Sequence, residues 1–331
     1  MRTIFRFAAG GLAGSALALT GAQGTLAHGT GDPAPTLLGA VTSWSLDPLP
    51  WVGTLLAAAT YLIAVRKVNR LSPRVPVPHW RTAAWLSGLA FILIALVSAV
   101  DVYAEDLLSV HMVQHLLLSM VAPPLLALGA PITLLLRVAT PGVRNRWILP
   151  FLRSRVVRVI AHPLVAWLLF TFVMWGSHLS PLFDAALEDP LVHDVEHALY
   201  LGTALLFWWP VVGRDPSPWR LPYPARIFYL FLQMPLNSFL GVAILFSDRA
   251  LYPHYLTTGR TWPPTPLEDQ QLAGAIMWGV GDAGFVVAIL LVIAAWMRHD
   301  EAVTRRREAL EDARVAAVQA AAQVEGIGAS R

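Results

Sequence analysis

The chain alternates long apolar runs with short charged segments. Runs near Leu49–Val65, Trp80–Val100, Ser109–Leu136, His162–Leu179, Leu191–Val212, Ala225–Phe246 and Gln271–Met297 are each long enough to cross a bilayer as a helix. In hydrocarbon every backbone amide and carbonyl needs an internal partner, so such runs form helices. The pattern predicts an all-α polytopic membrane protein with seven transmembrane helices. The third run holds Pro123, Pro124 and Pro131. Proline lacks an amide donor and crowds the preceding turn, so this helix is expected to kink or break. The sixth run places Pro235 beside Asn237, and the seventh carries Gly274, Gly279, Gly281 and Gly284, which let a neighbouring helix approach closely.

A shorter apolar stretch, Phe7–Ala22, follows Arg2 and Arg6 and precedes the small-residue sequence TLAHG. It reads as a signal peptide, residues 1–27, cleaved after Ala27. The expected division is then an outer segment over 28–48, a membrane domain over 49–298 and a charged helical tail over 299–331, rich in Ala, Glu and Arg.

Loop charge predicts orientation. Arg66, Lys67, Arg70, Arg74 and Arg81 follow the first span; Arg137, Arg144, Arg146, Arg153, Arg155 and Arg158 follow the third; Arg214, Arg220 and Arg226 follow the fifth. The intervening loops are acidic or mixed, with Asp101, Glu105 and Asp106, then Asp184, Glu188 and Asp189, then Asp248, Arg249, Arg260, Glu268 and Asp269. Basic loops stay cytoplasmic, so the N-terminus is expected outside and the C-terminus inside.

Composition narrows the chemistry. The chain is 56% hydrophobic and 14% charged, which excludes an ordinary soluble domain. Its net charge of +3 sits in the loops, with no basic patch interleaved with aromatics, so nucleic acid is not an expected partner. It contains no cysteine, which leaves His, Met and carboxylates as metal ligands.

Five of the ten histidines fall at one end of the spans. His111 and His115 open the third, His178 closes the fourth, and His193 and His197 open the fifth. Residues four apart share a helix face, so each pair points one way, and Met174 lies one turn from His178. Neutral imidazole binds copper, zinc or iron, and thioether favours cuprous copper. A metal ion is therefore expected on a subset of the five histidines with Met174 as a further ligand, its identity open between copper, zinc and iron. Asp194 and Glu196 are expected to orient the imidazoles from outside the ligand set, and Asp269 and Gln270 to line an opening or contact a partner. Asp269 also suits a helix N-cap. Haem between paired histidines is an alternative, as is a hydrogen-bonded histidine network with no metal. HDVEH (His193–His197) matches the pattern of inverted zinc proteases, and a seven-span zinc-dependent hydrolase is the enzymatic alternative.

Several stretches in the same order, HMVQHLLLSMVAPPLLALGAP, WGSHLSPLFDAAL, HDVEHALYLGTALLFWWPVVG and LEDQQLAGAIMWGVG, resemble the CtaG family of bacterial cytochrome c oxidase assembly factors. The resemblance runs from Trp44 to Trp296, and the family's histidines fall on His111, His115, His178, His193 and His197. It implies a non-enzymatic, multi-pass protein of the bacterial cytoplasmic membrane. Its implied partners are oxidase subunits and the lipid bilayer, and its implied task is copper handling for a haem–copper oxidase. One departure is LLSVHM, where the family often has LFSAHM; the histidines are untouched.

Overall fold

The computed structural model describes residue 36 and residues 42–328, with side chains through residue 316. The expected signal peptide and most of the segment after it lie outside the described residues. Among those described, every regular element is helical. Six helices are long and apolar enough to cross a membrane, and a bent pair supplies a seventh span. Large apolar side chains such as Leu55, Ile63, Phe172, Phe239 and Leu291 are exposed along these helices, as a lipid-facing surface requires.

Helix α1 (Pro48–Leu71) starts where the Asp47 carboxylate accepts from the Leu49 amide at 3.0 Å. Helix α2 (His79–Val97) stops at Ser98, whose hydroxyl caps the short α3 (Ala99–Ala104). The third span breaks at its prolines, as expected. It consists of α4 (Leu108–Leu116), a π-helical segment (Leu117–Val121), α5 (Ala122–Leu128) and α6 (Pro131–Val138), with Ala130 left-handed at φ 51°. Pro123 and Pro124 cannot donate to the Ser119 carbonyl, and the Trp208 indole donates instead at 2.8 Å. Between the third and fourth spans, helical turns over 141–160 pair exposed Trp147, Phe151 and Val156 with the expected arginines. That mixture suits a membrane–water boundary.

The fourth span is α7 (Pro163–His178) followed by α8 (Leu182–Glu188), bent by 71° around Pro181. Helix α9 (Pro190–Val212) is capped by Asp189 and ends at Gly213, φ 60°. Helix α10 (Tyr223–Leu245) carries Pro235 internally. Helix α11 (Pro266–Gly328) opens with a capping box in which the Thr265 amide donates to Glu268 at 2.8 Å. The span and the expected helical tail run on as one helix of 63 residues through Met297. Polarity changes there, but helix propensity does not.

The tightest helix pair is α10 against α11. A Cβ on Gly274 would stand 2.5 Å from the Leu245 amide nitrogen, and one on Gly241 2.9 Å from that of Trp278. The same interface holds Asp282, which accepts from Asn237 at 3.0 Å and from Ser238. Phe170, Phe207, Trp208, Tyr229 and Phe285 form the apolar centre beside it.

Candidate metal centre

The five histidines that the sequence places at one end converge on one cluster. Helix α4 supplies His111 and His115, α7 supplies His178, and α9 supplies His193 and His197. Ring centroids are 4.3 Å apart for His111–His115 and 4.1 Å for His193–His197, the pairs at i,i+4. Across helices, His111–His193 measures 5.6 Å, His115–His178 5.8 Å and His115–His197 6.2 Å.

Glu196 belongs inside this ring. It is buried, with one carboxylate oxygen 3.9 Å from His115 Nε2. One ligand atom each from His111, His193 and Glu196 lies within 4.8 Å of the other two. The helical phase explains this: Glu196 is three residues from His193 and shares its face, whereas Asp194 turns away and is exposed.

Hydrogen bonding leaves this set largely unspent. His111 Nε2 and His115 Nε2 lie 2.9 Å apart, so one ring donates to the other. His178 Nδ1 is 2.7 Å from the Met174 carbonyl and 3.1 Å from the Tyr200 hydroxyl, which orients the ring and leaves Nε2 buried without a partner. Met174 thus touches the site through its backbone, and its side chain sits in the apolar core. Seven buried atoms have no partner among the described residues: Nδ1 of His111 and His115, Nε2 of His178, His193 and His197, and both oxygens of Glu196. Each such atom costs about 1–3 kcal/mol in a folded chain. An ion satisfies several at once. Two imidazole nitrogens on a tetrahedral ion, each about 2.0–2.1 Å from it, are about 3.3 Å apart, so small side-chain shifts close the set.

Aromatic groups, not evident from the histidine spacing, enclose the cluster. Tyr200 stacks on His115 at 4.0 Å, and Phe183 of α8 packs on His111 at 5.0 Å and on His178 at 5.4 Å. The bend between α7 and α8 turns Phe183 back over the rings. Tyr252 donates to the His178 carbonyl at 3.3 Å. Burial holds the Tyr252 and Tyr255 phenols well above the usual range, so both stay protonated donors.

Asp269 and Gln270 are buried and hold helix ends. Asp269 accepts from the Leu108 amide at 2.7 Å and the Ser109 hydroxyl at 2.5 Å, capping the helix that carries His111 and His115. Gln270 accepts from the Leu251 amide at 2.7 Å and donates to the Arg249 carbonyl at 3.1 Å, pinning the loop after α10. Asp101 also touches α4: Gln114 donates to it at 3.0 Å, and burial lifts its carboxyl to about 7. Other described histidines have partners of their own. His162 caps α7 and packs on Trp219, and His254 reaches the Glu105 carbonyl at 3.1 Å.

A family model described as "cytochrome c oxidase caa3 assembly factor" matches residues 59–299, which include every residue of the cluster. Uncharacterized proteins of Mycobacterium bovis and Mycobacterium tuberculosis are each 33% identical over 282 residues, covering 83% of this chain and 42% of the relative. One of Mycobacterium leprae is 31% identical with the same coverage. The chain thus spans less than half the length of these relatives. No solved structure matches it.

Proposed function

The chain belongs to the CtaG family of cytochrome c oxidase caa3 assembly factors, and on that premise we propose that it serves oxidase assembly by holding a copper ion in transit at the histidine–glutamate cluster. The observation that carries this reading is the set of seven unpartnered buried donor atoms contributed by three spans. A hydrogen-bonded structural network would have used them; a ligand set keeps them free. Copper accepts imidazole in either oxidation state, and the Glu196 carboxylate adds a harder donor that suits the cupric ion. When bound, the ion is cargo. His178 is held in one orientation by Met174 and Tyr200, Phe183 excludes water above it, and His193 and His197 form the side that can open.

In this proposal the protein sits in the bacterial cytoplasmic membrane with its N-terminus outside. The cluster then lies at the outer face, on the side where an oxidase subunit receives copper. The partners are oxidase subunits and lipid, and the role is delivery without turnover of a small substrate.

The test is a metal count. Protein purified anaerobically with copper is expected to carry about one ion per chain. The double variant His193→Ala/His197→Ala is expected to carry little, while keeping its thermal unfolding midpoint. Equal copper in both, or none in either, defeats the proposal. A haem absorption band without copper would move the site to haem.

A further inference from the structure

A cavity of about 320 Å³ opens beside the cluster, between the start of α1, the end of α2 with α3, and the start of α9. Of the cluster residues, His193 and His197 line it; the others stand behind them. Its rim carries four carboxylates, Asp47, Asp101, Glu105 and Asp194, and no lysine or arginine is among its lining residues. These acids come from three separate segments of chain, yet they surround one opening. A second observation gives the opening a ligand. His197, 7% exposed, lines this cavity with His193, and the Nε2 of each is buried without a hydrogen-bond partner among the described residues.

We propose that this cavity is the path by which a hydrated metal cation passes between water and the histidine cluster. The inference rests on the metal-handling reading above and adds its route. A water molecule takes about 30 Å³, so the space holds on the order of ten, enough for an ion that keeps part of its hydration shell. Carboxylates around a low-dielectric cleft concentrate cations and repel anions, and the effect falls with ionic strength. The inner wall supplies neutral nitrogen donors that replace departing waters. Helix α1 provides no ligand, yet Asp47 and Pro50 complete the cavity, so the first span has a task in the path. Asp101 joins rim to site, because Gln114, its hydrogen-bond donor, sits between His111 and His115 on α4.

The chain has no cysteine, so one can be introduced and labelled alone. Ala198 lines the cavity and is exposed. The experiment follows uptake of Ag⁺, a redox-inert stand-in for Cu⁺, by purified full-length protein in nitrate buffers, with quenching by excess chelator. Glu105→Lys is expected to slow uptake about threefold to tenfold at low salt, and the difference is expected to vanish at high salt. Ala198→Cys is expected to load like wild type until a bulky thiol reagent is attached, and then to load several-fold more slowly. Unlabelled Ala198→Cys is its own folding control, and unfolding midpoints control Glu105→Lys. If the wild type loads and neither Glu105→Lys nor the labelled cysteine alters the rate, the path is wrong and the cluster reading stands. If the wild type takes up no silver, both fall.

Discussion

Asp269 makes a sharp test of how the site is supported, because its carboxylate terminates a helix 161 residues away. Asp269→Ala leaves the Leu108 amide and the Ser109 hydroxyl without an acceptor in buried surroundings. Hydrogen bonds to a charged group contribute about 1.5–3 kcal/mol each, so losing the two short ones costs about 3–6 kcal/mol. That exceeds the upper end, about 2 kcal/mol, for an ordinary N-cap. Asp269→Asn keeps an acceptor for Leu108 and loses the charge, and is expected to cost about 1–2 kcal/mol. The assay is thermal unfolding in detergent, read by tryptophan fluorescence, with copper retained per chain measured on the same samples. The midpoint is expected to fall from wild type to Asn to Ala, with copper retention falling in the same order as α4 loses its tether. Unfolding of Asp269→Ala at the wild-type midpoint would refute the argument. So would Asn falling as far as Ala, because the charge and the acceptor would then not be separable.

Three further outcomes follow from other parts of the molecule. Gly274→Ala places a Cβ 2.5 Å from a backbone nitrogen and is expected to destabilise by about 1–3 kcal/mol or more, whereas Gly279→Ala, with open space around it, is expected to be neutral; equal midpoints would refute the close approach of α10 and α11. Burial raises the Asp101 carboxyl from 3.8 to about 7, so the stability linked to its protonated form is fully present below pH about 4 and is lost as pH rises through about 7; Asp101→Asn is expected to flatten that part of the midpoint–pH profile, and an unchanged profile would refute the assignment. Cysteines introduced at Ser72 and Glu188 are expected to label from opposite sides of the membrane, Glu188 from outside, and labelling of both from one side would overturn the proposed orientation.

Much of this was legible from apolar period and spacing. The spans are long and uniformly apolar, and the i,i+4 histidine pairs can only point one way on a helix, so their convergence needed little beyond a shared membrane face. The break in the third span followed from Pro123, Pro124 and Pro131. Other features depend on partners far apart in the chain. Asp269 reads as a cap for its own helix, and only tertiary packing turns it towards Leu108. Asp101 reads as a loop acid, and only the docking of α3 on α4 brings it to Gln114. Glu196 could be placed more closely from the sequence. Its place three residues after His193 puts it on the ligand face, a phase argument that separates it from Asp194. The continuity of the seventh span with its tail follows from helix propensity, which does not change where hydropathy does.

The broken third span has a consequence for how the protein comes into being. Its two pieces are finished by carboxylates that do not yet exist when it is made. Asp215 accepts from Ile132 and Thr133 of α6 and is translated 83 residues after Ile132. Asp269 is translated 161 residues after Leu108. A nascent chain that has threaded five or six spans therefore holds His111 and His115 on a helix whose leading amides still lack their acceptor. The ligands themselves all lie on the third, fourth and fifth spans, but the helix that carries His111 and His115 gains its cap only when the final span arrives. Order of synthesis thus sets when each helix end of the candidate site gains its acceptor.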